Sequence, residues 1–170
     1  LLHPLEPMRV AAIQMLVDDR QIEPAHLQHL VELARHDRGG LVRSFLASAA
    51  TKLPPKDRWG IVESLAMRSE DASDITQPLM IWYAAESAVA SDLSRGVKIA
   101  IATRIPKLSK YIARRVTSEL ERSPAAVNEL VIAIGASPYP EQQTVLLEGM
   151  TDALKGWRKA PVPANWNEVS

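Results

Sequence analysis

Apolar helical segments return in pairs roughly every 30 to 36 residues along this chain, and that periodicity restricts the fold more than any other feature. The second helix of each pair opens near residues 7, 41, 77, 107 and 140, positions marked by proline and glycine punctuation. One helix pair cannot cover its own apolar face, so such pairs are stable only when stacked. The expected fold is all-α: an α-solenoid, or α-α superhelix, of about four and a half helix pairs. No stretch combines apolar alternation with a run of β-branched residues, so no sheet is expected.

Local signals place the elements. Leu27, Leu30, Val31 and Ala34 make one apolar stripe, with Pro24 as a first helical residue and Gly39-Gly40 closing the segment. The next helix runs over 41–53, where Pro54-Pro55 stops it, and Asp57 is placed to cap a helix reaching Met67. A helix over 76–90 has Asp74 and Gln77 spaced like a capping box, and further helices cover 92–103, 107–120, 124–136 and 140–157. Residues 1–158 read as one repeat domain, and 159–170, with Pro161 and Pro163, as an extended linker. Leu1-Leu2-His3-Pro4 reads as a chain entered inside a domain, so a piece of a longer protein is expected.

Composition excludes several kinds of chemistry. Lys plus Arg equal Asp plus Glu at 20 each, which removes a global attraction to nucleic acid or anionic lipid. Cysteine is absent, and with it disulfides, thiolate metal sites, a cysteine nucleophile and haem attachment through C-x-x-C-H. The longest apolar run, Leu79 to Ala85, is far shorter than the ~20 residues a bilayer requires, so no direct membrane insertion is expected. No G-x-S-x-G or phosphate-cradling glycine loop occurs. The expectation is a non-catalytic chain without cofactor or metal.

The stretch His3-Pro4-Leu5-Glu6-Pro7-Met8-Arg9-Val10-Ala11-Ala12-Ile13-Gln14-Met15-Leu16 resembles the second helix of a HEAT repeat. Val42-Arg43 restates Met8-Arg9 34 residues later. Leu53-Pro54-Pro55-Lys56-Asp57-Arg58-Trp59, followed by Pro78-Leu79-Met80-Ile81-Trp82-Tyr83, resembles the HEAT-like region of large membrane-bound dehydrogenase-type proteins of planctomycetes and verrucomicrobia. The resemblance is strongest over 41–91. It implies flanking domains elsewhere in such a protein, namely a sugar-dehydrogenase-like propeller and a c-type cytochrome domain, and an exported or cell-envelope location. Any dehydrogenase activity would reside in those domains. It also implies that Arg9 and Arg43 bond between repeats.

Three constellations merit weighing. Glu86 falls on a helix apolar nearly all round, beside Trp82 and Tyr83; the plainer reading is an ion pair with Arg43 or Arg115, the sharper one a ligand-facing carboxylate. Residues 95–122 carry eight basic and two acidic side chains, with Lys107, Lys110 and Arg114 on one face flanked by Tyr111 and Arg115. That face is either simply solvated or docks an acidic partner. His26, His29, Glu32 and His36 have helical spacing suited to zinc, but the stripe of Leu27, Leu30, Val31 and Ala34 takes the buried side, so these groups are expected to point outward.

The favoured reading is a protein-interaction or spacer module of a larger multidomain redox protein, partnered by other proteins or its own flanking domains, with no nucleic acid expected. One rival is a HEAT-like DNA glycosylase, supported only by Trp59, Trp82 and Tyr83 with the basic 95–122 stretch. Another is a carrier of small apolar ligands built around Trp82 and Tyr83.

Overall fold

The computed structural model describes residues 3–18 and 22–169. Among them the fold is all-helical: α1 Glu6–Leu16, α2 Pro24–His36, α3 Gly40–Lys52, α4 Pro55–Ala66, α5 Gln77–Ser91, α6 Leu93–Ala102, α7 Pro106–Thr117, α8 Pro124–Ala136, α9 Pro140–Leu154 and the single turn α10 Trp166–Val169. The second helices of the pairs, α1, α3, α5, α7 and α9, begin within one residue of the positions read from the sequence. Prolines open many of the helices because the first helical residue has no intrahelical partner for its N–H anyway. For the same reason α4 starts at Pro55, before Asp57. That carboxylate sits in the first turn, near the positive end of the helix dipole, rather than at the cap.

Asp74 does cap α5, accepting from the N–H of Gln77 at 2.8 Å, and Asp92 caps α6 through the N–H of Arg95 at 2.9 Å. Two helices end three residues before the sequence reading had them. α7 gives way to turns after Thr117, and α9 stops before Gly156, whose φ of 88° only glycine adopts without strain.

The chain packs as two compact units, residues 1–88 and 89–170, and the division falls inside α5. In the first unit, helices two apart in sequence lie against each other, α1 on α3 and α2 on α4, while α3 also packs on α4. This is the layering of a helical repeat, each helix resting on its counterpart in the next pair. Ile13, Leu30, Leu46, Ile61 and Leu65 are fully buried there, each contributing about 1.5–3 kcal/mol of apolar burial. Close approach depends on small residues: a side chain at Gly60 would put its first carbon 2.7 Å from Val31.

The second unit repeats the scheme, with α6 on α8, α7 on α9, and Ile105, Leu108, Ile112, Leu130 and Leu146 at its core. The tail departs from an extended linker. Beyond Pro163 it turns, the Trp166 N–H donating to the Pro163 carbonyl at 3.1 Å, and α10 packs on α8. The Ala164 N–H also donates to Asn128 Oδ1 at 2.8 Å. The half-buried Trp166 and the hydrogen bond to Asn128 on α8 outweigh the stiffness of two prolines.

Candidate functional site

The first unit is tied together by a motif that occurs twice at a spacing of 34 residues. Arg9 on α1 grips Asp37 in the α2–α3 loop, Nε to Oδ2 at 2.7 Å and Nη2 to Oδ1 at 2.9 Å. Its remaining nitrogen donates to the carbonyls of His3 and Pro4. Arg43 on α3 does the same with Asp71, at 2.7 and 2.6 Å, and with the carbonyls of Asp37 and Arg38. Each arginine therefore clamps the loop before its own helix to the loop after the next helix. A planar guanidinium with five donors suits this, and a lysine would not. A single 3-10 turn, Ser69–Asp71, delivers Asp71 to its partner.

Burial pushes the Asp37 carboxyl upward, but the Arg9 hydrogen bond, the Gly39 N–H and the charges of Arg9 and Arg43 together hold it below the usual carboxylate range. Its folded pKa therefore lies below its unfolded one, so it contributes stability above about pH 4 that is lost as pH falls through the folded value. Urea titrations of the first unit are expected to be flat near neutrality and to weaken below about pH 4, with Asp37→Asn reducing that acid limb. An acid limb of unchanged steepness in Asp37→Asn would show that Asp37 is not its source.

Beside this clamp lies an open groove of about 1150 Å³ on the outer face of α1 and α2. Its floor is apolar, formed by Ala12, Met15, Leu16 and Leu33, with Met15 80% exposed. Its rim carries His3, His26, His29 and His36, which are all the histidines of the chain, together with Arg9, Glu32, Asp37 and Arg38. The groove is the repeat's stacking face. The positions 34 residues on from Ala12, Met15 and Leu16 are Leu46, Ala49 and Ala50 on α3, all buried. Aligning Pro24 with Pro55 sets His29 on Gly60, where α4 receives Val31 of α2. What α3 and α4 bury under the first pair, α1 and α2 leave open.

The outward face of α2 carries His29 and His36, exposed, and His26, half-buried. Among the described residues no three His, Asp or Glu side chains are grouped as metal ligands. His36 Nε2 lies 3.4 Å from Glu32 Oε2, and His26 Nδ1 lies 3.9 Å from Glu23 Oε2. The sequence pattern showed the α2 histidines but gave no sign that His3 and α1 complete the same rim.

Glu86 departs from its expected place. It is exposed, and Arg43 is committed to Asp71 while Arg115 pairs with Glu119 one turn along its own helix, at 2.6 Å. The core face of α5 is Ile81, Ala84, Ala85, Ala88 and Val89, whereas Leu79 and Tyr83 are exposed and Trp82 is half-buried. Close packing through alanines takes the inside, and the larger residues fall outside with Glu86.

The basic face of α7 is partly neutralised. Lys110 Nζ sits 3.1 Å from both Glu148 and Asp152 on α9, and these hydrogen bonds hold its ammonium above the ordinary lysine range. Asp152 is in turn held below the usual carboxylate range, first by Lys155 and then by Lys110. Lys107 and Arg114 are exposed, and Tyr111 is half-buried. A shallow depression of about 310 Å³ beside Lys110 is lined by Thr144, Leu147, Glu148, Thr151 and Asp152, so it presents both signs of charge. No helix among the described residues is long and apolar enough to cross a membrane. Compared with known protein families, curated proteins and solved structures, the chain matches none.

Proposed function

We propose that this chain is a non-catalytic protein-interaction module, a HEAT-like repeat region serving a larger multidomain redox protein, and that the α1–α2 groove is where it docks a helical segment of a partner. The observation that carries this reading is the open stacking face. Of the three floor positions whose counterparts in the next pair are buried, Met15 is exposed and Ala12 and Leu16 are half-buried. A groove of about 1150 Å³ exceeds the usual 300–1,000 Å³ of small-molecule sites and is open along its length, which suits a helix laid in a groove. Met15, exposed on the groove floor, supplies flexible apolar contact of the kind adaptable binding surfaces use.

The test is an amide-detected NMR titration of the chain with an amphipathic helical peptide bearing Leu at i, i+3, i+4 and i+7. Shifts concentrated in α1 and α2, abolished by Met15→Asp, are expected. Shifts confined to α7 and α9 would move the docking surface to the basic face and overturn this assignment.

A further inference from the structure

We infer that the partner segment is acidic and that the α1–α2 groove holds it more tightly as pH falls from about 7.5 to about 5.5, an inference that rests on the docking reading above. The groove gathers every histidine of the chain, from two different parts of the structure: His3 ahead of α1, and His26, His29 and His36 along α2. Histidine is the side chain whose charge ordinarily changes between pH 5 and 8.

The surrounding charges leave room for that change to matter. From α1 the groove receives Arg9, which is bound to Asp37 in the α2–α3 loop, and that loop adds Arg38. From α2 itself comes Glu32, shared with Arg35 and His36, while Glu23, just ahead of α2 and outside the lining, lies beside His26. Among the described lining residues Arg9 and Arg38 balance Glu32 and Asp37, so with neutral histidines these residues carry no net charge. Protonation makes it cationic.

The chain's own stacking contact sharpens the point. Where α4 offers Gly60 to an apolar neighbour, α2 offers His29 at the equivalent position. A copy of the chain's own apolar packing face would bury that imidazole against Val31-like carbon. A helix carrying Glu beside its apolar stripe would instead set carboxylates against the rim while Leu side chains cover Ala12, Met15, Leu16 and Leu33.

The experiment uses the whole chain and two peptides, one with Glu flanking the Leu stripe and one with Gln in those places. The Glu peptide is expected to bind about tenfold more tightly at pH 5.5 than at pH 7.5, the gain of a few exposed ion pairs, while the Gln peptide changes little. Joint substitution His3→Gln, His26→Gln, His29→Gln and His36→Gln should abolish the pH dependence. The affected groups are rim side chains, so the melting temperature at pH 7.5 should hold. Equal affinity of the Glu peptide at both pH values, an unaltered pH slope in the fourfold variant, or sedimentation showing that the chain fills its own groove as a dimer at pH 5.5 would overturn the inference. Failure of both peptides to perturb α1 and α2 at either pH would instead remove the docking reading itself.

Discussion

Replacing Arg43 by Ala is expected to cost the first unit about 3–5 kcal/mol, the usual effect of removing one partner from a buried ion pair. Arg43 and Asp71 are each only 5% exposed, and the carboxylate would be left without the two bonds that hold it. The Arg38 carbonyl would lose its Arg43 donor at the same time, while the Asp37 carbonyl keeps that of Arg68. The pair is more a source of specificity than of net stability, so replacing both partners by apolar residues, Arg43→Met with Asp71→Leu, should recover a large part of the loss. Arg9→Ala removes the same motif where the arginine is more exposed, 15% against 6% for Arg43, so it gives up less desolvated guanidinium packing and a smaller loss follows. Urea unfolding with hydrogen exchange followed in α3 and α4 measures all three. A single variant within about 1 kcal/mol of the parent, or a double variant no better than the single, would show that the clamp does not hold this unit together.

The helix pairs were legible because their limits are set locally. Proline at a first helical position and Gly39-Gly40 at the start of α3 act within a few residues, and they mark the second helices to within one residue. The clamp was half legible. Arg9 and Arg43 stand out at a spacing of 34; Asp37 and Asp71 share that spacing, but their partners lie 28 residues away across a helix and a loop, so no local signal joins them. Glu86 was misplaced because a helical wheel ranks residues by apolarity, which favours Trp82 and Tyr83 over alanine. Interhelical distance ranks them the other way, and Ala84, Ala85 and Ala88 are fully buried. The groove was not legible as a groove: a stripe of histidines on α2 gives no hint of an opposing wall until α1 is in place.

Gly149→Ala is expected to destabilise the second unit by about 1–3 kcal/mol, the reverse of what helix propensity alone dictates. Glycine inside a helix costs roughly 1 kcal/mol relative to alanine, so an unconstrained site would gain from the change. At Gly149 the added carbon would lie 2.5 Å from the backbone carbonyl oxygen of Lys110, 2.9 Å from the Ala113 side chain and 3.1 Å from the Arg114 nitrogen. Two of those three neighbours are backbone, so no side chain can turn aside, and α9 must move off α7. The displacement would act on the charges that flank the contact, since Glu148 and Asp152 reach Lys110 from either side of Gly149. Gly135, exposed near the end of α8, is the control, and Gly135→Ala should be neutral or stabilising by up to about 1 kcal/mol. Urea midpoints of the two variants decide the matter. If Gly149→Ala raised stability as Gly135→Ala does, α7 and α9 would not be in the close contact described, and the placement of Lys110 between two carboxylates would fall with it.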